Sequence, residues 1–564
     1  MLSLSNHDAA HRMLNARTAT RTRWNASCSQ RSLAHHMPLA PLSALDGEFD
    51  VCVVGAGPAG LACAFDLHGR GLKVALLEAG GARPTPGEPD VRAAEIAHPE
   101  FHDPVDIVAA SALGGSTHWW GGRSVPFDPV DFRSWPVGYD DLLPWWEKAG
   151  EFLGSRGVSE SPPPPAFQRL QRFDAVRDEC WGPELNMGRR WRARIAAADG
   201  PVIVTGARVT GLDCDNGRIA AVRVGERRVR AGHVVLASGG LGALKLLLLL
   251  QRDHPGLFGE TLGAGYMGHL TGSIALIAPS DPDDIAAFAT RELSGGAFAR
   301  RRLRPLSQTV TGERIVNIAF WCENGAAGNP EHGNATASAR YLATRLLRFG
   351  RGEGALGPHI DNVMRAPFSA ASGLAAAAYL LAAARLTGRH PHNLTLTPAA
   401  KGAWRLDYHA EQPPHADNRI SLADSLDSAG LPKLRIDFRF KDEEIEAVVR
   451  AHDLLDADLQ HAGAGKLVFH GDREQRIASV RAAARDGYHQ LGGAVMSPDA
   501  HAGVVDTDLR THAVANLWIA AGSVFPSGGQ ANPTLTIVAL ARRLAAHIAA
   551  LNKASAKASA ATEA

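Results

Sequence analysis

The sequence predicts an α/β protein whose main sheet is parallel and gathered from separated stretches of chain. Three observations predict it. VCVVGAGPAGLACAFDLHGRGLKVALLE (51–78) reads as strand, glycine turn, helix and strand. RVRAGHVVLASGGLGALKLLLLL (228–250) repeats the strand–glycine–helix order, and LWIAAGSVFP (517–526) is a third apolar strand that ends in glycine. Short apolar runs without alternation suit strands buried on both faces of a parallel sheet.

The first unit carries the spacing G-x-G-x-x-G at Gly55, Gly57 and Gly60. Gly55 makes the tight turn, Gly57 lets the backbone approach a pyrophosphate, and Gly60 lets helix and strand pack closely. Pro58 and Ala59 open the helix, whose N-terminal N–H groups favour phosphate. Glu78 ends the second strand, placed to accept from ribose hydroxyls, and an acid there disfavours a 2′-phosphate. NAD or FAD is therefore expected. Two further units far along the chain favour FAD, a long cofactor lying along one sheet. The stretch VIVTGARV (202–209), which precedes the second unit, and the turns after those strands supply further candidate contacts: Arg208, Val209, Ala237, Ser238, Gly239, Ala521 and Gly522.

Composition excludes several classes. The 564 residues carry 59 basic and 58 acidic side chains with no long basic run, so nucleic acid is a poor partner. The six cysteines show neither C-x-x-C nor C-x-x-C-H spacing, and scattered thiols suit a reducing compartment. No uninterrupted apolar run reaches the ~18 residues of a membrane span. GLAAAAYLLAAARL (373–386) reads as a core or domain-surface helix. The Arg- and Ser-rich first 45 residues lack a secretory apolar stretch; a disordered extension, with Met37 as a possible true start, and a cytoplasmic location are expected. Neither an H-E-x-x-H zinc helix nor a G-x-S-x-G elbow occurs, and no metal is expected.

Four motifs in order then carry a resemblance. After the glycine triad come LGGSTHWWGGRSVPFDPVDF (113–132), EQPPHADNRISLADSLDSAGLPKLRIDFRF (411–440) and a last block containing YHQLGGAVM and SGGQANPTLTIVALA. Together they resemble the glucose–methanol–choline (GMC) family of FAD-dependent alcohol oxidoreductases over roughly residues 49–548. The resemblance implies a Rossmann-like FAD domain (46–135, 200–268 and 486–552) and a substrate domain with an antiparallel sheet (136–199 and 269–485), with residues 553–564 a disordered tail. It implies a flavin-covering loop at Gly114, Gly115, Ser116, His118, Trp120, Gly121 and Gly122. It makes His489, followed by two residues and a glycine, the general base, and Asn532 a hydrogen-bond donor to the substrate oxygen. The alcohol carbon would deliver hydride to flavin N5. An imidazole, with an ordinary pKa of ~6.5, can take the hydroxyl proton at neutral pH. Pro533 and Thr534 would aim a helix N-terminus at the flavin. Taken alone, an Asn-Pro pair is more often a simple helix cap.

Other candidates have plainer readings. His118 falls one residue before the place, Trp119, where some relatives attach FAD covalently, so noncovalent FAD is expected. His269 reads as incidental in a glycine turn, Trp145 and Trp146 as helix core, and His390 and His392 lack acids for a metal site. The family pattern departs at Gly493 and Val495, where relatives carry Thr and Arg. Oxidation of a sugar, polyol or glycoside is the leading function, with oxygen, a quinone or a partner protein as acceptor. A hydroxynitrile-lyase-like flavoprotein that keeps FAD without redox turnover, and a flavin-binding protein without catalysis, stand as alternatives.

Overall fold

The computed structural model describes residues 39–85, 92–325, 328–347, 356–387, 396, 398–400 and 402–563. The early N-terminal segment, Cys28, His390 and His392 lie outside the described residues. Chain order begins with strand β1 (Glu48–Val54), helix α1 (Pro58–His68) and β2 (Val74–Leu77). After α2 (Tyr139–Leu153) come β3 (Val202–Val204), the hairpin β4 (Val209–Asp215) and β5 (Arg218–Val224), β6 (Arg227–Leu236) and α3 (Gly239–Asp253). The first sheet runs β3-β2-β1-β6-β5-β4, and β13 (Leu517–Ile519), far along the chain, pairs with β6.

Strand β6 serves two partners in succession. Its first residues pair antiparallel with β5, while Val234, Val235 and Leu236 pair in parallel with Leu517, Trp518 and Ile519. Its other edge runs parallel to β1, with Val53 opposite Val235. The parallel ends of β1, β6 and β13 thus point the same way, and a ligand is expected outside the carboxyl ends of such strands.

The second sheet is antiparallel, in the order β8 (Ile318–Glu323), β9 (Trp404–Glu411), β7 (His269–Pro279), β12 (Gly465–Phe469). Between β8 and β9 the chain leaves the sheet to form α4 (Ala335–Leu347), α5 (Gly357–Arg365) and α6 (Pro367–Thr387). Strands β10 (Arg419–Leu426) and β11 (Pro432–Asp437) form a hairpin, and α7 (Asp442–Ala462) leads into β12. The last element is α8 (Thr534–Glu563).

Two sequence expectations change here. The expected disordered tail continues α8 as helix through Glu563, because its alanines and lysines are strong helix formers. Of the expected disordered extension, residues 39–45 pack on the domain: Ala40 N–H donates to the Ile203 carbonyl and Leu45 is buried. In addition, Thr534–Ala558 is long and apolar enough to cross a membrane although its arginines interrupt the run. Leu535, Val538, Leu540, Leu544 and Ile548 are buried, so this helix fills core beside α1 and α2. Trp146 of α2 is fully buried and donates to Thr536 Oγ1, whereas Trp145 is only half-buried and stacks against Lys148.

Candidate active site

The carboxyl ends of β1, β6 and β13 open onto one elongated cavity. Gly55, Gly57, Pro58, Ala59 and Glu78 line it, as do Arg208, Val209, Ala237, Ser238 and Gly239, and Ala521 and Gly522 after β13. Gly55 adopts φ +103°, a conformation that favours glycine. A Cβ at Gly57 would meet nothing within 4 Å, so its backbone stays open for a ligand to approach. A Cβ at Gly60 would overlap the Gly55 carbonyl; this glycine packs helix on strand and does not line the cavity.

Glu78 accepts from the Ala56 N–H (2.9 Å) and the Gly80 N–H (3.0 Å). Burial pushes its carboxyl up to about 7, partly opposed by those N–H groups and by Arg92. Trp119 and Ser238 line the same space. An open pyrophosphate approach at Gly57, a ribose-side acid at Glu78 and glycine turns after three parallel strands along one cavity fit FAD.

The covering loop only partly matches expectation. Gly115, Ser116, Trp120, Gly121 and Gly122 line the cavity, joined by Trp119 and Arg123, which the sequence reading left out. Gly114 instead supports the turn at φ +95°, against Gly188. His118 is not among the lining residues either. Its Nε2–H donates to the Leu113 carbonyl (3.1 Å), because a carbonyl only accepts. The residue one place later, Trp119, takes the cavity position. Lys245, buried on α3 and bonded to Asp427 (2.7 Å), is a further lining residue without a sequence signal.

At the other end His489 and Asn532 meet, with Pro533 and Thr534 beside them. Asn532 lies outside α8: the Pro533 carbonyl accepts the Ile537 N–H, and no helix N–H reaches the Asn532 side chain among the described bonds. Asn532 Nδ2 lies 3.3 Å from His489 Nε2. Both orientations are set from behind. His489 Nδ1 lies 3.0 Å from Asp486 Oδ2, and a carboxylate only accepts, so Nδ1 carries the proton and Nε2 keeps its lone pair. On the far side, Arg302 Nη2 donates to Asn532 Oδ1 (3.0 Å). Arginine has no acceptor, so the carboxamide oxygen must face it and the NH2 must face His489.

Both anchors are buried charges with several partners. Burial raises the Asp486 carboxyl, but the hydrogen-bonded His489 beside it and the Gly487 N–H outweigh that and hold it well below its ordinary range. Asp486 also accepts from the His269 and Tyr488 backbone N–H groups. Arg302 Nε and Nη2 both donate to Glu179 Oε2, while Arg300 donates to Oε1; the Glu179 carboxyl is held low, because burial opposes ionisation but Arg300, Arg302 and Arg123 prevail. Arg302 Nη1 donates to Gln530 Oε1 (2.6 Å).

His269, read from sequence as incidental, belongs to this corner. It stacks on His409 with centroids 4.2 Å apart, and both rings present to His489 at 4.5 and 5.0 Å. His269 Nε2–H donates to the Gly529 carbonyl and His409 Nδ1–H to the Gln530 carbonyl. Burial first, then the neighbouring rings and, for His409, Arg302, push both well below ordinary histidine values, so both are neutral. One nitrogen from each of the three rings lies within 4.8 Å of the others, a spacing open to a metal ion. The Arg302 charge and the Asn532 NH2 face the same corner and oppose a cation there.

Asp486 had a legible signal, a carboxylate three residues before His489. Arg302 had an ambiguous one: Arg300, Arg301, Arg302 and Arg304 look like a solvated basic run, yet the first three are buried because Glu179 and neighbouring carbonyls pair them. His409 had none beyond its place on β9.

Residues 414–541 match the model of the GMC oxidoreductase family, and residues 50–169 match that of FAD dependent oxidoreductases. Similar curated proteins include the 6'''-hydroxyparomomycin C oxidase of Streptomyces lividus, 24% identical over 92% of this chain and 95% of that protein. Another is the 2-methyl-1,2-propanediol dehydrogenase of Mycolicibacterium austroafricanum, 23% identical over 89% of this chain and 95% of that protein. Among solved structures, an FAD-dependent oxidoreductase from Chaetomium thermophilum shares the fold, with TM-score 0.51 and 14% identity over 90% of this chain and all of that one. With two family segments in order, relatives matched along nearly their full length, and a cavity shaped for FAD beside a histidine–asparagine pair, this chain belongs to the GMC family of FAD-dependent oxidoreductases that act on CH–OH donors.

Proposed function

We propose that the protein oxidises a CH–OH group of a sugar, polyol or glycoside, with His489 as general base and Asn532 holding the substrate oxygen. The observation that carries this reading is the 3.3 Å hydrogen bond from Asn532 Nδ2 to His489 Nε2, which puts an N–H and a lone pair side by side on one wall of the cavity. An alcohol oxygen seated in front of the pair replaces that bond, donating its proton to Nε2 and accepting from Nδ2. Removing that proton raises electron density on the oxygen and makes the carbon a better hydride donor; a positioned base of this kind contributes about 10²–10⁴-fold. FAD, when bound, supplies the two-electron acceptor. The positive charge on His489 that results is stabilised by Asp486 at 3.0 Å.

FAD is held noncovalently in this reading, by the Gly55–Gly60 turn, Glu78, the Gly115–Gly122 loop and the turns after β6 and β13. The substrate domain is 136–199 and 269–485. The named relatives are an oxidase of 6'''-hydroxyparomomycin C and a dehydrogenase of 2-methyl-1,2-propanediol, which supports a hydroxyl-bearing substrate. Anaerobic mixing of the FAD-loaded protein with a panel of sugars, polyols and glycosides tests the reading. Bleaching of the oxidised flavin bands is the expected result. Carbonyl product from a hydroxynitrile without bleaching would instead establish the lyase.

A further inference from the structure

Strands β8 and β9 are antiparallel neighbours, yet the chain between them runs through residues 324–403 where a hairpin needs only about 2–5. The sheet does not require this excursion. Helices α4, α5 and α6 within it share a small core of their own, Ala335, Ala339 and Ala370 with Val363 against it, separate from the main core. Their outer surface is apolar. Leu356, Ile360 and Met364 recur four residues apart, and Phe368 follows at the start of α6. Met364 is 71% and Phe368 90% exposed, and Tyr379 further along α6 is 73% exposed. Among its described side chains α6 buries only Ala370, although the helix is nearly all alanine and large apolar residues with one charge, Arg385. A contiguous exposed apolar face of this kind marks a site of interaction.

Charge selects the partner. The three helices carry four arginines, at 340, 345, 365 and 385, against one acid, Asp361, in a chain balanced as a whole at 59 basic to 58 acidic. Arg340 and Arg365 are exposed. A second copy of the chain on this face would bring like charges together, since a two-fold contact meets itself. An apolar helix face flanked by arginine suits the headgroup–acyl boundary of an anionic bilayer, which offers hydrocarbon and negative charge at once.

We propose that α5 and α6 dock the protein peripherally on anionic membrane, with Ile360, Met364 and Phe368 entering the boundary and Arg365 meeting lipid phosphate. Flotation of the full-length FAD-loaded protein with vesicles tests this. Vesicles of phosphatidylcholine with about one-third phosphatidylglycerol should bind about tenfold more protein than phosphatidylcholine alone, and high salt should weaken binding. The variant carrying Met364→Glu and Phe368→Glu should lose about tenfold of that binding while keeping its flavin absorbance and melting temperature. Arg365→Glu should reduce the preference for anionic lipid. The proposal is overturned if neither vesicle floats the protein, or if the double variant floats as well as the parent. A dimer in light scattering that the double variant converts to monomer, with no flotation, overturns it too and gives the face to a second copy.

Discussion

At the nucleotide end of the cavity the contacts come from main chain and glycine, whereas at the His489 end they come from ionised side chains held in a buried network. Gly55, Gly57 and Gly60 do their work by having no side chain, and Glu78 is held by two backbone N–H groups. His489 and Asn532 are set by Asp486 and Arg302, from opposite sides and distant parts of the sequence. A cradle must accept a large ligand of fixed shape, which open backbone does well. At the His489 corner the structure fixes which atom holds a proton, and charged groups of single character, a pure acceptor and a pure donor, do that. The two ends should therefore fail in different ways.

The largest effect separates folding from binding. Gly57→Val should yield a folded protein without flavin absorbance, because its Cβ meets nothing in the protein but would fill the pyrophosphate approach. Gly60→Val should lower stability itself by about 1–3 kcal/mol, from overlap with the Gly55 carbonyl. Circular dichroism and visible spectra of the two variants distinguish these outcomes.

At the other end, His489→Ala should retain FAD while slowing its reduction by substrate by about 10²–10⁴-fold in stopped flow. Reduction at the parent rate would remove His489 as base. Arg302→Lys keeps the charge but loses the fixed fork that turns the Asn532 amide, and reduction should slow by roughly tenfold. Asn532→Ala should largely absorb that effect, so the double variant should be little worse than Asn532→Ala alone.

The pH dependence of stability should have opposite signs at the two ends. Asp486 is held below its unfolded value, so its contribution is present above about pH 4 and is lost as pH falls. The difference in melting temperature between parent and Asp486→Asn should therefore shrink in acid. Glu78 is raised to about 7, so its folded form is favoured at low pH and that advantage is lost as pH rises through 7. In the cofactor-free protein, Glu78→Gln should accordingly gain about 1–2 kcal/mol at pH 8 relative to pH 5. The smallest effect concerns His118: His118→Ala should leave FAD content unchanged and acid-extractable as in the parent, since its ring is turned to the Leu113 carbonyl.

Residues 51–78 carried their own structure, because strand, turn and helix there are set by neighbours in sequence: apolar strand, glycine spacing, Pro58 at the helix start. The same locality made Glu78 and the turns after β6 and β13 legible. His489 and Asn532 were named through motif resemblance; Asp486 was passed over although it lies only three residues before His489. Arg302 and His409 were out of reach altogether, since their roles depend on strands that reach Asn532 and His489 only when the antiparallel sheet is laid over the cavity. The misplacement of His118 has a similar cause: one residue of turn geometry decides whether a ring enters the cavity or turns back to a carbonyl.

What the sequence determined by itself was every feature fixed by local periodicity and by residues lacking a side chain or a donor. Tertiary structure alone decided which amide face, which ring nitrogen and which arginine meet at the His489 corner. Those choices are made by hydrogen bonds between segments some two hundred residues apart, and no spacing along the chain encodes them.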